Sequence, residues 1–572
     1  MEKLTKEQIM KSLELFSQVK THRFFYKASG FTDEELERPL IVIANSMQDA
    51  GIGHIHLRAL ADAVKSGIYL AGGTPVEFNT IGPCGGYCKD GSLDPTLLLY
   101  DLPQRDAIAD SVEIQVKNLG ADGLVMMGTC DKSVPGLWLA AARLNLPTIF
   151  YTGGPAEPGV FGGKKTTFPT DIILEGVNDT LSGRMNEEEF LQTMYAMEDK
   201  WVTSCGACPE LTTANTVQMA TEVMGLTLTG ISTTPGGNLM ERVRLAKQTG
   251  YAIVKLVKQG KRFKDFVTTS AIKDALRLIM ATSASTNGVL HLLALAKTLG
   301  LDINLDTVSD ISNKTPYFVP LRPSGPFTMI DLHNAGGALA VLKRIEKDVD
   351  IKRPAVTGES IGDRLRKTNI HNEHVIRPLE KAISPFGGIV VMKGNIAPNG
   401  ALARYTIVKK ENRHFTGKAR CFDEEQLAIF AILNGEIKSG DVIVLRYQGP
   451  RGGPGFAENF RTVLILGSLG LHDVAVITDS RFSGATTGAL YVGYISPEAQ
   501  VGGPIAIIKD GDQITIDIDR REVSVDISDE EIKKRLSQWN PPEAKVKEGV
   551  LVQWYLSAEQ FEHGAMLPRR LT

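Results

Sequence analysis

Over the first two thirds of the chain, short apolar runs rich in β-branched residues alternate with longer segments whose apolar positions recur at helical spacing. This alternation predicts an α/β fold built on a parallel sheet. The runs Pro39 to Asn45, Gly123 to Thr129 and Pro147 to Thr152 are the clearest strands, and each ends at Gly, Pro or a polar turn. Residues just after them are therefore expected at strand ends, where open α/β sheets place ligands. Ala107 to Leu119 reads as a helix, and Pro135-Gly136 opens another that carries Leu137 to Leu144. Cys130 falls in the loop between the strand Leu124 to Met127 and that second helix, a position that also suits anions.

After about residue 370 the texture changes. Ile389 to Met392, Asp441 to Arg446, Val474 to Ile477, Ile505 to Ile508 and Gln513 to Ile518 are short strand-like runs between Gly-rich turns, and helical pattern is sparser. The expected organisation is an α/β domain over residues 1–370 and a β-rich, barrel-like domain over 371–572. Gly358 to His374, polar and without clear period, is the expected junction. No repeat, low-complexity tract or heptad pattern interrupts this reading.

Composition narrows the class. A chain of 572 residues, with 63 Lys and Arg against 66 Asp and Glu, has a substantial core and a formal charge of only −3. It shows no basic stripe for nucleic acid, no polybasic membrane patch and no apolar run long enough to span a bilayer. The expected partner is a small molecule and the expected compartment the cytoplasm. Six cysteines in so long a chain are too few for a disulfide scaffold. In a reducing compartment, clustered cysteines point to metal binding or catalysis.

Five of the six cysteines lie in three short segments: Cys84-Gly85-Gly86-Tyr87-Cys88, Cys130-Asp131-Lys132 and Cys205-Gly206-Ala207-Cys208. Thiolates select soft metals and iron-sulfur clusters, whereas carboxylates favour hard ions such as magnesium. Their interleaving suggests two kinds of metal in one site, hence an enzyme. Each residue also has a plain reading: Cys130 as a buried small side chain, Asp131 as a helix cap, Lys132 in an ordinary ion pair, Glu458 on a solvated loop and Ser483 in a turn beside Gly484.

An ordered set of motifs settles the choice. Asn45-Ser46 with His54-Ile55-His56-Leu57, Leu102-Pro103-Gln104-Arg105, Cys130-Asp131-Lys132-Ser133, Thr213-Ala214-Asn215, Ser285-Thr286-Asn287, Gly452-Gly453-Pro454-Gly455 with Glu458, and Thr478-Asp479-Ser480-Arg481-Phe482-Ser483-Gly484 follow one another along nearly the whole chain. Together they resemble the dihydroxy-acid and sugar-acid dehydratase family. The resemblance implies a hydro-lyase that removes water from a 2,3-dihydroxy carboxylate to give a 2-keto acid, using an iron-sulfur cluster and Mg²⁺. It implies Cys130 and Cys208 as cluster ligands, and Asp131, Glu458 and a carbamylated Lys132 as magnesium ligands. Ser483 matches the serine proposed to act, as alkoxide, as the base on C2. Asn287 is a candidate substrate contact, and His291, one turn further on, reads as a satisfied packing histidine.

Two departures from the family pattern matter. Many two-iron members carry a cysteine where this chain has Gly53, and some four-iron members have glycine there, so Cys84 is the expected third ligand, with Cys88 and Cys205 in reserve, and a 4Fe-4S cluster is favoured over 2Fe-2S. Relatives also place an aspartate at the position aligned with Gly85. Asp90, in a loop longer than theirs, is the expected replacement in the magnesium site, ahead of Asp94. The segments Ile81 to Ser111 and Val476 to Gly484 resemble the branched-chain dihydroxy-acid branch, with an aldonate dehydratase as the alternative. A non-catalytic iron-sulfur or redox-sensing protein on the same scaffold is the reading from another class. Relatives form dimers or tetramers, so a homo-oligomer is expected.

Overall fold

The computed structural model describes residues 4–86, 96–167 and 169–569. Four strands, β1 Leu40–Asn45, β2 Thr74–Asn79, β3 Gly123–Gly128 and β4 Thr148–Thr152, form a parallel sheet in the order β2-β1-β3-β4. Ile41 to Ala44 and Leu124 to Met127 are fully buried. That explains why these strands read as continuous apolar runs rather than as alternations. The helices Leu57–Leu70 and Leu239–Lys258 pack together beside this sheet. They cross so closely that a Cβ on Gly67 would stand 2.2 Å from the Lys247 carbonyl oxygen, so only glycine fits there. A small antiparallel hairpin, β5 Gly159–Phe161 and β6 Lys164–Thr166, follows β4. Beyond it, the helices Thr213–Val223, Thr269–Thr282 and Thr286–Leu299 are almost wholly buried.

The second sheet has eight strands: β7 Ile389–Met392, β8 Gly400–Arg404, β9 His414–Phe422, β10 Asp441–Leu445, β11 Ala475–Thr478, β12 Leu490–Ser496, β13 Gln513–Asp517 and β14 Glu522–Val525. Their order is β14-β13-β9-β10-β11-β12-β8-β7, with β9 to β12 parallel and the flanking pairs antiparallel. Lys393, just after β7, bridges to Glu522 of β14, so the sheet nearly closes into a barrel. Alternate residues divide between two clusters. Val442, Val444 and Ile477 join one, while Ile443, Leu445 and Val476 pack with residues of the helices Glu425–Leu433 and Arg461–Ser468 in the other. The fold is thus an N-terminal parallel-sheet α/β unit with a barrel-like C-terminal sheet.

Two local expectations change. Ile505 to Ile508 is no strand: Pro504 fixes the first position of a 3₁₀ turn over Pro504–Ile507. Within Gly358 to His374 lies a helix, Ile361–Lys367, whose start is set by a reciprocal capping box between Ser360 and Asp363. The chain end also returns to the first unit. Arg105, fully buried in the Leu102-Pro103-Gln104-Arg105 motif, donates to the carbonyls of Gly564 at 3.0 Å and Ala565 at 2.7 Å.

Candidate active site

Loops at the C-terminal ends of strands in both sheets supply the site. β2 leads to Cys84, β3 to Cys130-Asp131-Lys132, β10 to Glu458 and β11 to Arg481 and Ser483.

The structure brings three thiols together. Cys130 is 6 % exposed and its thiol shares a hydrogen bond with that of Cys84. This bond, burial, and the neighbouring Cys84, Asp131 and Cys208 push its pKa well above the usual thiol range. Hydrogen bonds to the backbone tie down the loops that carry Cys84 and Cys208. His54 Nε2 lies 3.0 Å from the Pro83 carbonyl, next to Cys84. Burial lowers the pKa of His54 to about 4, so the ring is neutral at ordinary pH. Gly206 N–H donates to the Ile52 carbonyl, and Asn215 Nδ2 donates to that of Cys208 at 2.6 Å. Cys205 faces elsewhere: its thiol meets the Gly236 carbonyl at 3.5 Å, with Arg242 and Glu157 as charged neighbours.

The donor set fits an iron-sulfur cluster. Three thiols converge in a largely buried loop cluster, and no disulfide joins the described cysteines. A Cβ on Gly53 would stand 2.8 Å from Cys130 Sγ, so the absence of a side chain there leaves room at the sulfur. Gly53 thus lies against Cys130. Cys88, Asp90 and Asp94 lie outside the described residues.

Beside the thiols, Asp101, Asp131 and Glu458 each offer a carboxylate oxygen, and these oxygens lie within 4.8 Å of one another. Hard oxygen donors in this number suit a magnesium-like ion. Lys132, fully buried, pairs with Asp131 and, at 2.9 Å, with Asp101 Oδ2. Arg481, also fully buried, pairs with Asp101 Oδ2 and Glu458 Oε1 at 2.6 Å each. Glu458 is 1 % exposed and Asp101 likewise, so the solvated-loop reading of Glu458 fails.

Sequence reasoning missed Asp101, which stands immediately before the quoted Leu102-Pro103 motif. It also assigned no role to Arg481. Asn287 proves to be a buried hub: its Nδ2 donates to Glu458 Oε1 at 2.7 Å, and its Oδ1 accepts from Arg481 and from the Tyr494 hydroxyl. His291 is buried, but neither ring nitrogen has a partner among the described residues. Burial, with Arg105, Lys132 and Arg481 nearby, lowers its pKa far enough to keep it neutral. Ser483, 9 % exposed, receives the Ala485 N–H at 3.4 Å on Oγ. The following Gly484 packs against Thr213 N, at the start of the helix Thr213–Val223.

Comparison with known proteins accounts for this arrangement. Residues 38–364 match the model of the dihydroxy-acid/6-phosphogluconate dehydratase N-terminal domain, and residues 374–565 match that of the C-terminal domain. A dihydroxy-acid dehydratase of Caldanaerobacter subterraneus subsp. tengcongensis is 44 % identical over 95 % of this chain and 96 % of its own length. Those of Pyrococcus furiosus and Desulfatibacillum aliphaticivorans are 43 % and 41 % identical, each over 96 % of this chain and 97 % of their own. The chain therefore belongs to the dihydroxy-acid/6-phosphogluconate dehydratase family.

Proposed function

We propose that this protein is a dihydroxy-acid dehydratase that removes water from a 2,3-dihydroxy carboxylic acid of the branched-chain type to give the 2-keto acid. The observation that carries the reading is the adjacency of two donor sets, three thiols and three carboxylates, in a chain of this family. Cys84, Cys130 and Cys208 would hold a cluster, read as 4Fe-4S because glycine at position 53 resembles some four-iron members of the family. Asp101, Asp131 and Glu458 would hold Mg²⁺, with Lys132 joining them once carbamylated, and Asp90 remains a further candidate. When bound, these groups supply Lewis acidity at the departing hydroxyl and at the carboxylate end of the substrate.

The chain's own residues account for proton handling and alignment. Ser483 is the candidate base for the C2 proton, and the Ala485 N–H approaching its Oγ favours charge on that oxygen. A serine hydroxyl is too weak a base alone, so this role depends on a metal or positive charge in the completed site that lowers its pKa. Loss of the C2 proton and the C3 hydroxide releases one water and leaves an enol, which tautomerises to the keto acid. Lys132 in its ammonium form pairs with Asp101 and Asp131 and so opposes a cation there. Carbamylation would replace that positive charge with a ligand oxygen. Three converging thiols, with no disulfide among the described cysteines, favour a reducing, cytoplasmic setting, and a homo-oligomer is carried over from relatives.

The test is anaerobic purification, counting of iron and sulfide, and a keto-acid assay on 2,3-dihydroxy-3-methylbutanoate and a panel of aldonates. Turnover of the former with Mg²⁺, lost in Ser483→Ala at full iron content, is expected. Turnover of aldonates alone would move the substrate to sugar acids. A loaded protein that forms no keto acid from any substrate would return the reading to a non-catalytic iron-sulfur protein.

A further inference from the structure

Arg481 has no assigned task, yet four residues from three separate pieces of the chain meet on its guanidinium. Nε donates to the Phe456 carbonyl. One terminal nitrogen donates to Glu458 Oε1 at 2.6 Å and to Asn287 Oδ1 at 3.2 Å. The other donates to Asp101 Oδ2 at 2.6 Å. Glu458 and Phe456 come from the loop after β10, Asn287 from the helix Thr286–Leu299, and Asp101 from the turn before the helix Pro103–Leu119. A guanidinium is planar, and its two terminal nitrogens stand at a fixed separation. Two carboxylates bound by different nitrogens of one such group are therefore set at a fixed spacing.

The surroundings hold the fork in turn. Asn287 contacts both Arg481 and Glu458, closing a triangle, and its Oδ1 is also bound by the Tyr494 hydroxyl at 2.8 Å. Phe456 and Tyr494 both adopt left-handed backbone, at φ 55° and 61°, and their rings meet edge to face at 5.8 Å. Such conformations are costly for bulky residues and persist where the surroundings fix them.

We infer that Arg481 is a positioning residue for the divalent-cation site: it sets the spacing between Asp101 and Glu458, one from each half of the chain, and thereby sets how tightly the ion is held. This rests on the reading of Asp101, Asp131 and Glu458 as that site. Two simpler roles compete with it. Arg481 could act only as a clamp between the two units, or only as a positive charge that weakens cation binding.

Mn²⁺ titration followed by electron paramagnetic resonance, with Mg²⁺ in competition, separates these roles, using anaerobically purified full-length protein with iron content and Tm measured alongside. The wild type is titrated first; failure to bind Mn²⁺ at millimolar concentration would remove the cation site itself and this inference with it. Arg481→Lys keeps the charge but loses the fork, and about a 10- to 100-fold rise in the Mn²⁺ Kd is expected at nearly unchanged iron content and Tm. Asn287→Ser, which keeps every charge but releases one side of the triangle, should weaken binding in the same direction by less, and it covers the case in which the Arg481 variant folds poorly. An unchanged Kd in the folded Arg481→Lys protein, with or without a fall in Tm, would overturn the inference. Tighter binding in Arg481→Gln would reduce Arg481 to a competing positive charge.

Discussion

Two acids buried behind the Glu458 loop should make the protein less stable as pH rises towards neutrality. Glu498 accepts hydrogen bonds from Arg451 N–H at 2.9 Å, Gly452 N–H at 2.8 Å and Gln560 Nε2 at 2.6 Å. Asp479 accepts from Gln448 N–H at 3.0 Å and Ala499 N–H at 2.8 Å. Burial outweighs these bonds. It pushes Glu498 up to about 7, with the Asp479 charge adding to the rise, and Asp479 up to about 6. A carboxyl whose folded value is raised keeps a proton that the unfolded chain has already released, so stability falls as pH climbs from about 4.5 to 7. For Glu498, a rise from 4.5 to about 7 corresponds to about 3 kcal/mol lost across that window. Glu498→Gln abolishes this titration but sets one amide N–H against a donor, a pH-independent cost of about 1 kcal/mol. The variant should melt close to the wild type at pH 5 and above it at pH 8. With an unfolding entropy of about 2.1 cal/mol/K per residue, the change in gap corresponds to about 2–3 °C if all 572 residues unfold together. Calorimetric Tm measured from pH 5 to 8 is the assay. Parallel curves for the two proteins would refute the reasoning, because only a group titrating differently in the two states bends one against the other.

Asp101→Asn should weaken Mn²⁺ binding at least tenfold in protein that retains its iron, because it removes one of three carboxylates; a lowered Tm with unchanged Mn²⁺ affinity would make Asp101 merely the counterion of Lys132 and Arg481. Gly53→Ala places a Cβ 2.8 Å from Cys130 Sγ, so iron and sulfide content should fall by more than half while the fold survives; full loading would show that the space at Gly53 is not needed. Cys84→Ser should lose cluster absorbance and Cys205→Ser should keep it, since only the former thiol is hydrogen-bonded to Cys130; the opposite result would move the third ligand to Cys205.

The fold was legible where burial is complete. Strands buried on both faces show as uninterrupted apolar runs, as at Ile41 to Ala44 and Leu124 to Met127. It was less legible where a local rule outranks apolar content. Ile505 to Ile507 are buried and β-branched or small, yet Pro504 turns them into a 3₁₀ segment. The helix Ile361–Lys367 carries three basic residues in its last turn and only a short apolar face, so its capping box was the one readable signal.

The site divides along a different line. Thiols are scarce in this chain, and six cysteines with five in three segments leave few alternatives to choose among. Carboxylates are not scarce: Asp101 is one of 66 acidic residues and has no metal-ligand spacing to any neighbour in sequence. Its partner Arg481 lies 380 residues away, so the pairing exists only once the two units are packed together. Searching for the displaced aspartate near Gly85 led to Asp90, because a sequence comparison seeks the lost residue at or near its old place. A coordination site instead requires an oxygen at one point in space, from whichever segment passes there. The turn before Pro103 passes there, held by Lys132 and Arg481 through Asp101. If Asp101 fills the third place, Asp90 is no longer needed to complete the triad.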